Sequence, residues 1–218
     1  MLTTTFSITT IIIVVTCIVS FIAFSNARLK NDLLFWPAEI DDRGQYYRFL
    51  TYGFVHGDFL HLAFNMMSLY SFGAYVEKYL YTQSHLFGHS APMMYISLYV
   101  LGLIVSTIPD YFYYKNYSSY RALGASGAVC AVIFSGIMLE PKLPISMLFI
   151  PVRIPGYIFG VIFIAISIWL GKRGGDNIGH RAHISGAIFG ILFTIIAAKL
   201  FSNFDVVKSF LDEVLNRY

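Results

Sequence analysis

Residues 122–139 read Ala-Leu-Gly-Ala-Ser-Gly-Ala-Val-Cys-Ala-Val-Ile-Phe-Ser-Gly-Ile-Met-Leu, a stretch without charge between Arg121 and Glu140. A membrane-spanning helix needs about 20 mostly apolar residues, and runs as short as about 17 suffice. Outward from this stretch the same pattern recurs. Met1 to Ala27 is free of charge, with its apolar heart at Phe6 to Phe24. Phe59 to Val76 lies between Asp58 and Glu77, and Ala91 to Pro109 ends at Asp110. Ile154 to Gly171 is closed by Arg153 and Lys172, and Ala182 to Ala198 by Arg181 and Lys199. The expectation is an all-α membrane protein of one domain, residues 1–218, with six spans near 6–24, 58–78, 91–109, 124–139, 155–171 and 182–200.

Composition agrees. The chain has 218 residues, 57% hydrophobic and 12% charged, with a mean hydropathy of +0.65. A soluble domain carries about a quarter charged residues. The net charge of +3 is spread out, and no basic cluster would track a phosphate backbone, so nucleic acid is not an expected partner. Cys17 and Cys130 both fall in apolar runs and have no disulfide or zinc-site signature. Ser25-Asn26-Ala27 resembles a weak signal cleavage site, but the first run is long and has no Lys or Arg before it, so a retained helix is expected.

Two connections stand out. Ser25 to His56 mixes charges with Phe35, Trp36, Tyr46, Tyr47 and Phe49, aromatics that favour the headgroup zone, so this loop is expected to lie along the membrane surface. Tyr111 to Arg121 is rich in Tyr and leads into span four. Charge leaves the orientation open. With the N-terminus inside, six Lys/Arg fall on the inner side and nine on the outer, which leans against that orientation.

Strongly polar groups inside spans are costly and point to function. Span two carries His61 and Asn65, with His56 just before it. Ser126 opens span four, and His183 opens span six. Spans two, four and six must run the same way, so these residues share one leaflet and a similar depth. His61 and Asn65 are four residues apart and occupy one helix face. Gly124, Gly127 and Ala128 flank Ser126 and allow another backbone to come close. Gly186 and Gly190 form a Gly-x-x-x-Gly one turn beyond His183, a spacing that permits tight helix contact in lipid. Spans four and six can then bring Ser126 and His183 within hydrogen-bond reach, the arrangement that activates a serine nucleophile. Each signal also has a bland reading: a small-residue packing patch for Gly-Ala-Ser-Gly, an interfacial His, an interhelical bond from Asn65.

At these residues the chain resembles the rhomboid family of intramembrane serine proteases. The match rests on His56-x-x-x-x-His61-x-x-x-Asn65, on Gly124-Ala125-Ser126-Gly127, and on Ala182-His183-x-x-Gly186-x-x-x-Gly190, in that order and each on its own span. The resemblance implies a six-helix rhomboid bundle in which Ser126 is the nucleophile and His183 the general base, with no carboxylate third member. It implies that His61, Asn65 and the backbone N–H of Ser126 stabilise the oxyanion. It further implies that His56, Gly124 and Gly127 organise the site, that Gly186 and Gly190 are scaffold, and that Glu77 is a structural anchor at the inner end of span two. Two positions depart from the family pattern. Tyr47-Arg48 stands where Trp-Arg is usual, and Cys130 stands where many bacterial members have a Tyr against the catalytic His.

The implied activity is peptide-bond hydrolysis in or beside the transmembrane segment of a membrane protein, at a helix-destabilised stretch, without a cofactor or metal. The implied setting is a bacterial inner membrane, with a cytoplasmic N-terminus and an extracytoplasmic-facing site. The rival reading is a catalytically silent rhomboid-like protein that binds membrane clients. Such proteins typically lack the serine or the histidine, and both are present here. No His-Glu-x-x-His occurs, which argues against a zinc protease, and no paired-His pattern for haem is found.

Overall fold

The computed structural model describes residues 7–147, 150–175 and 178–215. Phe6, at the expected start of span one, and Arg217, one of the six Lys/Arg counted on the inner side, lie outside the described residues. The fold is predominantly helical: α1 (Ile8–Ser25), α2 (Ala27–Leu33), α3 (Pro37–Arg43), α4 (Arg48–Thr51), α5 (Phe59–Ser68), α6 (Ala91–Tyr114), α7 (Ser126–Leu139), α8 (Gly156–Arg173), α9 (His180–Phe201) and α10 (Val206–Val214). Between α7 and α8 an antiparallel hairpin joins β1 (Pro144–Met147) to β2 (Ile150–Pro155), with Pro144 opposite Pro155 and Ile145 opposite Ile154.

A helix therefore occupies each of the six charge-poor runs. Among the described residues, four of them, Ile8–Ser25, Gly88–Tyr114, Gly156–Arg173 and His180–Phe201, are long and apolar enough to cross a membrane. The other two are irregular. Beyond Ser68, α5 continues through π turns at Leu69–Gly73 and Val76–Leu80. α7 has only 14 residues. α6 runs through Pro109 to Tyr114, past the expected end, with the Ser106 and Thr107 hydroxyls folded back onto the carbonyls of Leu103 and Ile104 (3.1 and 2.9 Å). α7 begins at Ser126 rather than residue 124, because Gly124 has φ +103 and cannot belong to a right-handed helix.

The first connection is a set of short helices. The Asn26 side chain accepts from Leu29 N and starts α2. Pro37 opens α3, and Gly44, at φ 65, closes it. Arg48 is buried and ties the set together. Its Nη1 donates to the carbonyls of Asn31 and Leu34 (2.8 and 2.7 Å), and its Nε donates to Gln45 Oε1 (2.6 Å).

α7 is buried on nearly every side and forms the centre of the bundle, as an apolar helix without a polar face must. α1 and α8 lie outside it and leave most of their aliphatic side chains exposed. Several buried hydroxyls are paired across helices, whereas those of Thr16 and Tyr99 meet no hydrogen-bond partner among the described residues. Tyr81 Oη lies 2.7 Å from Ser135 Oγ on α7, which also accepts from Thr194 Oγ1 on α9 at 2.6 Å. Where lipid surrounds a bundle, no water competes for such groups, and they must find partners within the protein.

The start of α1 is held by Glu77. Its carboxylate accepts from Ile8 N (2.7 Å), Thr9 N (2.9 Å), Ser7 Oγ (2.9 Å) and Thr9 Oγ1 (2.6 Å). The first N–H groups of a helix have no intrahelical acceptor, and a carboxylate there also meets the positive end of the helix dipole. Glu77→Ala takes the acceptor from four part-buried donors and should lower stability by about 4 kcal/mol, the low end of about 1–3 kcal/mol for each donor left without a partner. Thermal unfolding in detergent micelles will measure the loss, and Glu77→Gln should recover part of it.

Candidate active site

The segment preceding Ser126 is pinned from three directions. Phe35 and Ala122 exchange backbone hydrogen bonds (2.9 and 3.0 Å), so the first connection forms a bridge with this strand-like stretch. Gly124 N donates to Tyr52 O at 3.0 Å, and Ala125 N to His56 Nε2 at 3.5 Å. A Cβ on Gly124 would fall 2.7–2.8 Å from Cε1 and Nε2 of His61. Both the positive φ and this close approach require glycine. The chain then turns into α7, which places Ser126 on the first turn, where backbone N–H groups point outward unpaired.

α9 reaches Ser126 because two glycines let it close on α7. A Cβ on Gly186 would overlap the Gly127 carbonyl, and one on Gly190 would overlap the Ala131 carbonyl. Gly127 in turn faces Ser106 Oγ of α6 and Ala182 O of α9. With the helices at this separation, His183 Nε2 lies 2.8 Å from Ser126 Oγ. Both side chains are half-buried. A hydroxyl within hydrogen-bond distance of an imidazole nitrogen can be deprotonated as it attacks.

His61 and Asn65 stand on α5 across the same cavity of about 1050 Å³, whose wall also includes Gly124, Ser126, Gly127, Cys130, Phe163 and His183. Asp58 caps α5 by accepting from His61 N at 2.8 Å. Gly57 N approaches His61 Nδ1 at 3.4 Å, which makes Nδ1 the acceptor and Nε2 the protonated nitrogen, beside Gly124. Asn65 Nδ2 donates to His61 O at 3.0 Å. His56 is fully buried behind the wall, edge-on to the His61 ring at 5.0 Å. Gly186 and Gly190 also sit behind the wall, while Arg48 and Glu77 act elsewhere in the fold.

The two departures from the family pattern are accommodated differently. Tyr47 lies under the Arg48 guanidinium, 5.4 Å from ring centroid to Cζ, and Trp36 contributes a second face at 5.9 Å. Cys130 is buried on α7, and the rings beside His183 are Phe163 of α8 and His180 of α9 itself, each with its centroid 6.1 Å away. Nothing in the apolar sequence of α8 separates Phe163 from its neighbours Phe159 and Ile162, so its place beside His183 is visible only in three dimensions. Tyr52 gave no sign of a place at the site, and Ala125 was read only as the variable position of its motif. They act through backbone groups, and Tyr52 adds hydroxyl contacts to Leu103 O (2.8 Å) and Ser106 Oγ (3.1 Å).

A family model described as Rhomboid domain matches residues 43–200. The Rhomboid protease GlpG of Haemophilus influenzae is 27% identical over 199 residues, covering 89% of this chain and 93% of that protein. RHOMBOID-like protein 12, mitochondrial, of Arabidopsis thaliana is 31% identical over 164 residues, 66% of this chain and 44% of that protein. Rhomboid-like protein 15 of the same plant is 25% identical over 179 residues, 75% of this chain and 40% of that protein. The chain thus spans most of the bacterial relative and less than half the length of the plant ones.

Two expectations follow from this geometry. Gly186→Ala must push α9 off the Gly127 carbonyl and so separate His183 from Ser126, and a misplacement of about 1 Å costs on the order of 100-fold in rate. Fluorophosphonate labelling of Ser126 will report it. Burial, helped by the neighbouring His61, holds the His56 imidazole well below its usual range, with Asp58 opposing. The folded protein therefore resists protonating His56. The stability this contributes is complete above the ordinary His value of about 6.5 and is lost as pH falls from there toward the depressed folded value. Melting temperatures measured from pH 8 down to about pH 4 should fall on the acid side, and His56→Asn should flatten that slope.

Proposed function

Because this chain belongs to the rhomboid family and is a multi-pass membrane protein, we propose that it is an intramembrane serine endopeptidase that works through a Ser126–His183 dyad. The observation that carries the proposal is the 2.8 Å contact between Ser126 Oγ and His183 Nε2 at the wall of a cavity. All six charge-poor helices cross the bilayer in this reading, with the short α7 enclosed by the others. The helices of residues 27–54 lie at the membrane surface. The active site faces the extracytoplasmic side of a bacterial inner membrane.

Ser126 Oγ attacks the carbonyl carbon of the scissile bond while His183 Nε2 takes its proton. The oxyanion forms against the N–H of Ser126, His61 Nε2 and Asn65 Nδ2. The start of α7 adds the positive end of its dipole. His183 then returns the proton to the leaving amine. Water, deprotonated by the same imidazole, releases the acyl group and restores the serine. Substrates are membrane proteins whose transmembrane segment is locally helix-destabilised, because a peptide bond must leave helical geometry to enter the cavity. The rival reading, a client-binding relative without hydrolysis, has the plant rhomboid-like homologues in its favour. The contact between serine and imidazole favours the enzyme.

A fluorophosphonate probe applied to the purified full chain in micelles should label Ser126. Ser126→Ala should abolish labelling, and His183→Ala should reduce it by on the order of 1,000-fold. Asn65→Ala should lower cleavage of a single-span membrane substrate by about 100- to 1,000-fold, the usual cost of one oxyanion donor. Folded wild-type protein that neither labels nor cleaves would establish the client-binding reading instead.

A further inference from the structure

Most of α1 is apolar and exposed, as shown by Ile11, Val14, Val15, Ile18, Phe21 and Ile22. Its buried positions are Thr9, Thr16, Ser20 and Ala23, three of them hydroxyl residues. Thr9 is engaged by Glu77 at one end of the helix. Ser20 is fully buried near the other end, and its partners lead to the catalytic segment.

Ser20 Oγ donates to Phe54 O at 2.8 Å and lies 2.9 Å from His56 Nδ1. A serine hydroxyl has one hydrogen, and here the carbonyl receives it. The proton in the second contact must then belong to His56 Nδ1. A neutral imidazole protonated at Nδ1 has a bare Nε2, and that atom faces Ala125 N, whose N–H points to it at 3.5 Å. The three contacts form a one-way chain: Ala125 N–H to His56 Nε2, His56 Nδ1–H to Ser20 Oγ, and Ser20 Oγ–H to Phe54 O. Reversing either imidazole nitrogen would set the Ala125 N–H against another N–H.

We propose that Ser20 is a positioning residue for the active site: it fixes the His56 tautomer, which in turn holds the peptide immediately before Ser126. This inference rests on the proteolytic reading above and extends it to a helix that contributes no group to the cavity wall. The groups facing His56 are the Ser20 hydroxyl from α1, the His61 ring from α5, Asp58 at the α5 cap, and the Ala125 amide. Among these only Ser20 offers Nδ1 an acceptor oxygen at hydrogen-bond distance.

Val and Thr have the same shape and differ in the hydroxyl, so Ser20→Val and Ser20→Thr form a matched pair at this buried site. The full chain is purified in micelles and tested for fluorophosphonate labelling at Ser126, for cleavage of a single-span membrane substrate, and for the nitrogen resonances of His56. Ser20→Thr should label about 10- to 100-fold faster than Ser20→Val, the scale of a small misplacement transmitted to reacting groups. The loss should appear in kcat rather than KM. Wild type and Ser20→Thr should show His56 with Nδ1 protonated and Nε2 bare, and Ser20→Val should lose that single state. If the bulkier side chains do not fold, Ser20→Ala against wild type gives the same comparison. Equal labelling by Ser20→Val and Ser20→Thr, or an unchanged His56 tautomer in Ser20→Val, overturns the proposal. Wild type that does not label while the tautomer difference persists counts against the proteolytic reading and not against the hydrogen-bond chain.

Discussion

The contact on which the molecule depends is the approach of α9 to α7. Gly186 and Gly190 sit directly on the carbonyls of Gly127 and Ala131, so the two backbones touch without intervening side chains. In lipid there is little hydrophobic gain from bringing two apolar helices together, and association relies on close packing of small residues. This packing sets more than stability. His183 lies one turn before Gly186, and Ser126 lies one residue before Gly127. The separation of the backbones therefore fixes the separation of hydroxyl and imidazole. The central helix is also short and buried on most sides, so its first turn, with unpaired N–H groups, ends at a cavity inside the protein.

Around that contact several buried polar groups are paired, as a low-dielectric interior favours. Tyr81, Ser135 and Thr194 satisfy one another across three helices. Arg48 is buried against backbone carbonyls. Tyr120 donates to Asp110 and ties the stretch before Ser126 to the end of α6 (2.9 Å). A buried polar group without a partner costs far more than a paired one returns, so each such bond specifies one arrangement over its neighbours. The strand-like residues 122–125 have no helix of their own to hold them. They receive their order from Phe35, Tyr52 and His56, residues of the first connection and its end.

Much of this was legible in the amino-acid order. The six charge-poor runs located the principal helices, and counting directions singled out His61, Ser126 and His183, which line one cavity. Gly186 and Gly190 announced the close contact by their spacing. What was not legible depended on backbone detail or on partners distant in sequence. The start of α7 at Ser126 follows from a positive φ at Gly124, which residue type allows but does not dictate. α6 continued past Pro109 because a proline tolerated within a packed helix looks the same in sequence as one that ends it. The first connection read as an aromatic-rich loop and folds into short helices whose caps at Asn26 and Gly44 are weak signals alone. Phe163 and Ser20 gave no sign of their roles, because each is one apolar or small residue among many on its helix.

The double attachment of α1 has a mechanical corollary. Thr9 is bonded toward Glu77 and Ser20 toward His56, eleven residues or about 16 Å of helix apart. A lone hydrophobic helix answers a thicker or thinner bilayer by changing its tilt. A rod pinned at two heights resists such a swing, because tilting either end would break the bonds that hold it. Adjustment to membrane thickness therefore falls on the acyl chains around the protein, which must stretch or thin to meet a scaffold of fixed height.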